Sequence, residues 1–324
     1  PTTRLPLLQM NGGKDYTVGL GKAATYIARR NEDGLVEREF LDAGESAPQC
    51  VIIYYHLPSA VTEGHSTSLK IIDDEGNVVR AFHPKPADYE SGDEADKAFA
   101  PGPWMPVRAG VNRFVWDARH NEAERLHGNK TASEAERGPL ALPGQYRVEL
   151  TVVDETTTQL FQLVNDSRSP ATSSELHEQL TLLLKIRDKL SELYLTLRQL
   201  REIRGQLQSW MGRLVTEPTQ TVVLQTTTAM IGSLDDIESL LVMPGEKQYV
   251  FGLHDRVRLN AALASVISVI ESADTKPTTQ AVQISEQYIG EIDEQLRMFN
   301  KIVDSDLASL NESKNPDATL IEFI

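Results

Sequence analysis

Residues 111–120 read VNRFVWDARH. Polar and apolar side chains alternate, which is the period of a strand. The alternation sets Asn112, Phe114, Trp116 and Ala118 on one side and Val111, Arg113, Val115 and Asp117 on the other. Two rings on one side predict a face turned towards a core, where a Trp is a natural anchor. Asp117 and Arg119 stand two residues apart on the opposite face. They are expected to pair with each other or with nearby backbone, holding the loop that begins at His120.

The same period runs through the first half of the chain. CVIIYYHL (50–57) reads as a buried strand. SLKIIDDEGNVVRAF (68–82) reads as a hairpin with DDEGN as its turn, and GQYRVELTVVDETTTQLFQLV (144–164) as a second one turning at about Asp154–Thr156. Short strands, Gly/Pro/Asp breaks and no helical stretch predict an all-β immunoglobulin/fibronectin-III-like sandwich over 48–165. Residues 83–109 are too rich in Pro, Gly and charge for regular structure and read as a long loop. Residues 1–47 read as an extended lead-in from an upstream domain absent from this sequence.

Near residue 166 the period changes. NDSRSPATSSE (165–175) is a linker that ends in a helix start, with Thr172 or Ser173 as cap and Glu175 early in the first turn. From Leu176 to Leu214 the apolar residues recur every three or four positions, which predicts one helix of about 40 residues, about 60 Å long. Three more helices are expected at about 219–242, 253–273 and 278–311, separated by Pro218, Pro244-Gly245 and Pro277. The predicted fold class is therefore α+β in two separate domains, the sandwich followed by an antiparallel up-down four-helix bundle over 166–315. The apolar tail ATLIEFI closes the chain within 316–324 and is expected to dock.

Composition limits the partners. The net charge is −15, spread evenly: residues 166–324 hold 15 Lys+Arg against 23 Asp+Glu, and the remaining 17 and 24 lie before them. That disfavours a nucleic-acid partner, which needs basic patches. The single cysteine, Cys50, sits in an apolar run and reads as an inert buried thiol. No stretch is long and apolar enough to predict a membrane span.

Signs of chemistry are sparse. The seven histidines are scattered without metal-ligand spacing, and no nucleophile elbow, P-loop or dinucleotide fingerprint is present. ESGDEAD (90–96) has oxygens enough for calcium but reads as an acidic loop. Lys185, Arg187, Lys189, Arg198, Arg201 and Arg204 form a basic stripe on the long helix, interleaved with Glu192 and Glu202, and read as a solvated face. No catalytic residue, metal or cofactor is expected.

VNRFVWDAR and the later GPLALPGQYRVELTV (138–152) together resemble a paired signature, G-x-N-R-F-x-W-D-x-R and G-P-x-A-x-P-G-x-Y-x-V-x-L. The signature lies near the C-terminus of bacterial BNR-repeat glycosyl-hydrolase-like proteins, which carry a sortilin-like propeller. The likeness continues through YYHLP, SLKIIDDEGNVVRAF, LLLKIRDKLSEL (182–193) and LNAALASVISVIESADTKPT (259–278), covering roughly residues 48–310. PTTRLPLL is similar to the segment that leaves the propeller. The Asp-box repeats that carry the family's substrate site have no counterpart here, and Ala118 stands where the family tends to have Leu.

The resemblance implies a non-catalytic C-terminal module that packs on a propeller, binds a protein partner or assembles, in an extracellular or periplasmic setting. It marks Asn112, Arg113, Phe114, Trp116, Asp117, Arg119, Pro143, Gly144 and Tyr146 as a fingerprint of fold. A carbohydrate-binding module, or part of a sialidase-like glycosidase whose propeller is missing, is the alternative, with Trp104 in the long loop as its sugar-facing candidate. Self-association through the long helix would use Trp210 and Met211 near its end.

Overall fold

The computed structural model describes residues 2–4, 26–30, 36–40, 51–61, 67–86, 103–126, 132, 135, 137–153, 155–167, 169–214, 221–243 and 257–312. The expectations for Cys50, the 90–96 loop and the 316–324 tail lie outside them.

The strands are β1 (Thr2–Arg4), β2 (Tyr26–Arg30), β3 (Val36–Phe40), β4 (Val51–Leu57), β5 (Thr67–Asp73), β6 (Val78–Phe82), β7 (Gly110–Trp116), β8 (Gly144–Val152) and β9 (Glu155–Asn165). Local turn chemistry makes the hairpins. Between β5 and β6 the Asp73 carboxylate accepts from the backbone N–H of Asn77 at 2.7 Å, and Gly76 takes the φ of 93° that the turn needs. Between β8 and β9, Val152 pairs with Glu155, so the loop is two residues long and turns earlier than Asp154–Thr156. Val153 there takes a φ of 58°, a strained value for a β-branched residue.

Long-range pairing assembles the rest. One five-stranded sheet has the order β1-β9-β8-β5-β6; β2-β3 and β4-β7 are separate antiparallel ribbons. β1 runs parallel to β9, Thr2 beside Leu163 and Arg4 beside Asn165. The buried side chains of β4 and β7 share a core with those of β5, β6, β8 and β9, centred on Trp116, Leu69, Ile71 and Leu163. β4 is one-sided rather than fully buried, because Ile52, Tyr54 and His56 face outwards.

The helices are α1 (Ser173–Leu214), α2 (Thr221–Leu241), α3 (Leu259–Ile270), α4 (Thr279–Lys301) and α5 (Ala308–Glu312), with one π-helical stretch, Ile302–Leu307, between the last two. Thr172 is the cap of α1: its Oγ accepts from the Glu175 N–H at 3.3 Å, and the Glu175 carboxylate accepts from the Thr172 N–H at 2.9 Å. The stripe that α1 buries runs through Ile186, Leu190, Leu193, Leu197, Leu200 and Leu207. It shares one core with Leu234, Ile237, Leu263, Ile292 and Phe299 of the later helices. Among the described residues no helix is long and apolar enough to cross a membrane.

The expected sandwich followed by an up-down four-helix bundle is not what forms; the protein is a mixed α+β structure. Hairpin signals are local and say nothing of the parallel β1–β9 pair or of β4 joining β7 across the long loop. Helical periodicity shows that a stripe is buried but not against what. Ala123, Leu126, Ala132 and Ala135, from a stretch without helical signal, complete the helical core.

The chain folds as two compact units that interleave in sequence. One holds 1–121, 137–181 and 271–277; the other holds 122–136, 182–270 and 278–324. In the first, Gln179 Nε2 donates to the Ala273 carbonyl at 2.8 Å, Ser169 Oγ to Asp274 at 3.2 Å, and Lys276 pairs with Glu178 at 2.9 Å. Fragments 1–165 and 166–324 made separately are therefore expected to lose cooperative unfolding, while the whole chain keeps it; circular dichroism melts of the three check this.

Candidate functional site

The fingerprint gathers at the end of β7, and each member can be followed to its partner. Asn112 closes the turn before the strand: its Nδ2 donates to the Arg108 carbonyl at 2.8 Å, and its Oδ1 accepts from the Arg108 N–H at 3.2 Å. Gly110 within that turn has a φ of 91°, where a side chain is strained. Phe114 lies against Phe82 with ring centroids 4.6 Å apart. Trp116 is fully buried, edge-on to Tyr146 and Phe161. Its indole N–H, which burial would otherwise strand, donates to the Arg119 carbonyl at 2.9 Å.

That hydrogen bond turns the chain. Ala118 sits between with a φ of 57°, and Asp117 accepts from the Arg119 N–H at 3.2 Å. The Asp117 carboxylate also meets the buried Arg80 at 3.3 Å, and Arg80 in turn lies over the Phe82 ring. Arg119 points its guanidinium elsewhere, to the Gly138 carbonyl at 2.7 Å and Glu271 at 2.9 Å. Asp117 and Arg119 thus join through backbone, not side chain to side chain.

The second half of the signature closes the same corner. A Cβ on Gly138 would stand 1.8 Å from the His120 carbonyl oxygen, so only glycine permits the two backbones to meet. The His120 N–H donates to the Pro139 carbonyl at 2.8 Å and the Ala141 N–H to the Ala118 carbonyl at 2.7 Å. Tyr146 OH donates to the Leu142 carbonyl at 2.6 Å, across the turn that contains Pro143. Gly144 begins β8 opposite Leu163 of β9, and a Cβ there would stand 3.7 Å from the Tyr146 ring. Arg113 faces outwards opposite Tyr54 of β4.

The corner's polar atoms are spent on backbone and on one another, which is the chemistry of a clasp. Among the described residues no group of three or more His, Cys, Asp or Glu is placed to hold a metal ion. Of the interaction candidates, Trp104 is half-buried, Trp210 is buried in the helical core, and Met211 packs against that core. Arg80 and Glu271 were not singled out by the sequence; Glu271 lies 152 residues from Arg119, beyond any local pattern. The outer face of the β4–β7 ribbon was also missed. The sequence VIIYYH carries no alternation to mark it, being apolar or aromatic on both sides up to His56; only the strand's period of two sets Ile52, Tyr54 and His56 on one face.

The basic stripe on α1 is neutralised by neighbours rather than solvated alone. Arg201 and Arg204 both reach the buried Glu238, and Arg204 also meets Asp235 at 2.7 Å. Arg198 holds Glu124 at 2.7 Å, and Lys189 joins Asp293 at 2.6 Å and Glu192 at 2.5 Å. Burial opposes the Lys189 charge, but the hydrogen bonds to Asp293 and Glu192 outweigh it and hold its pKa above the ordinary lysine value. Hydrogen bonds from the Thr172 backbone and hydroxyl hold the Glu175 carboxyl below the usual carboxylate range.

Comparison with family models, with curated proteins and with solved structures finds no match.

Two outcomes are expected. Trp116→Ala should cost about 3–5 kcal/mol, and Arg119→Ala about 3 kcal/mol because it leaves Glu271 without its partner. Denaturant melts of both, with a double-mutant cycle on Arg119 and Glu271, check them. A lowered folded pKa stabilises at neutral pH and is lost as pH falls through the carboxylate range, below about 4.3. Glu175→Gln should therefore melt below the parent at pH 7 and converge with it in acid, and NMR titration should place the Glu175 carboxyl below the exposed glutamates.

Proposed function

We propose that this chain is a non-catalytic interaction and structural module, of the kind found C-terminal to the propeller in BNR-repeat glycosyl-hydrolase-like, sortilin-like proteins. An extracellular or periplasmic location goes with that reading. The observation that carries it is the outer face of the β4–β7 ribbon. Tyr54 is 64% exposed, Val111 74% and Ile52 39%, on strands whose other face lies in the core. Cross-strand register makes one surface of them: Ile52 beside Val115, Tyr54 beside Arg113, His56 beside Val111. An apolar and aromatic face with an arginine in it has the composition of an interface centre. The clasp supports the same reading, because it stiffens β7 from behind and presents that face on a rigid ribbon.

Substitutions on this face touch no core atom and should change stability by no more than about 0.5 kcal/mol. Tyr54→Ser combined with Val111→Lys is expected to keep the parent's melting temperature and to abolish capture of a sortilin-like BNR-repeat propeller by the immobilised chain. Unchanged capture, or hydrolysis of an aryl-glycoside panel by the chain alone, would overturn the reading.

A further inference from the structure

The charge of the β4–β7 ribbon is at odds with the rest of the chain. About one residue in seven of the sequence is Asp or Glu, yet residues 51–61 and 103–116, which hold both strands and their flanks, contain neither. The basic side chains there are His56, Arg108 and Arg113. Arg113 stands in the middle of the outer face. It lies opposite Tyr54 in the register and between Val111 and Val115 along its own strand, with Ile52 and His56 diagonal to it on β4.

Other arginines of the protein meet carboxylates. Arg80 has Asp117, Arg119 has Glu271, Arg198 has Glu124, and Arg201 and Arg204 share Glu238. Arg113 meets no carboxylate among the described residues. The next acid along the chain, Asp117, is held by Arg80 and by the Arg119 N–H. Left in water, an exposed guanidinium is well solvated. Covered by an apolar partner it loses that water, which is costly unless a counter-charge replaces it. A partner that covers Tyr54, Val111 and Val115 covers Arg113 with them, because it lies among them.

We therefore propose that this face takes an acidic protein surface, one that sets an Asp or Glu carboxylate on Arg113 and apolar side chains against Ile52, Tyr54, Val111 and Val115. The planar guanidinium takes a carboxylate through two parallel hydrogen bonds, which fixes orientation as well as adding strength. A polyanion fits less well, since a run of phosphates or sulfates needs several cations side by side and this face sets one arginine among apolar residues. The proposal rests on the reading of this face as an interface and adds what the partner must carry, whichever protein docks.

Two capped heptapeptides test it, identical in their Val and Phe flanks and differing only in a central Glu or Gln. Titrated into the whole chain and followed by NMR, the Glu peptide is expected to shift the Tyr54, Val111 and Arg113 signals and to bind at least about fivefold tighter than the Gln peptide. Arg113→Met, on an exposed position, should keep the parent's melting temperature and erase that preference. Carbodiimide should join the Arg113→Lys side chain to a carboxylate of a captured BNR-repeat propeller, and mass spectrometry would locate the bond. Equal or absent binding of both peptides, or a preference that survives Arg113→Met, overturns the proposal. Heparin bound through Arg113 more tightly than the Glu peptide makes the face a polyanion site and overturns it too. Propeller capture lost with Tyr54→Ser and Val111→Lys but kept with Arg113→Met counts against the proposal and leaves the interface reading standing. Capture kept in both variants counts against the interface reading, and the peptide pair still decides the role of Arg113.

Discussion

One guanidinium holds three distant pieces of chain. Arg119 follows closely on β7, reaches the carbonyl of Gly138, and closes on Glu271, the residue after α3. Both side chains are mostly buried, 13% and 16% exposed, so the charges have little water to fall back on. The Trp116 indole fixes the carbonyl of the same residue, so its main chain and side chain are both committed. Everything at the corner follows from that: the positive φ of Ala118, the contact that forbids a side chain on Gly138, the hydrogen bond from Ala141.

The helical unit solves a related problem with a different device. Glu238 is buried on α2 and would be costly alone, but Arg201 and Arg204 of α1 both reach it. Together with Lys189–Asp293 and Arg198–Glu124, these pairs fix which side of α1 meets which neighbour. The leucine stripe is nearly uniform along its length and specifies register poorly by itself; the charges and the buried Asn260–Tyr194 contact make the choice.

What could be read from the sequence was whatever the chain states within a dozen residues. The inward face of β7, the DDEGN turn, the Thr172–Glu175 box and the length of α1 are of that kind. The architecture was not, because it rests on partners far apart: β1 with β9, Arg119 with Glu271, Ala123 and Leu126 with α1 and its neighbours. The fingerprint residues stood out in the sequence, but their roles as a clasp needed Gly138 and Glu271 in place. The basic stripe was visible too. Glu192 was too, being on α1 itself, but Asp235, Glu238 and Asp293 were not, since they lie on other helices, nor was Glu124 of the 122–126 segment.

Interleaving also sets an order in time. The sheet unit draws its last piece, residues 271–277, from more than a hundred residues beyond the end of β9. A ribosome adding about 5–20 residues per second needs about 5–20 s to cover that distance. For that interval Arg119 has no Glu271 to meet, and the sheet unit lacks its last piece. A chain still being synthesised therefore cannot complete its sheet unit until residues 271–277 have emerged.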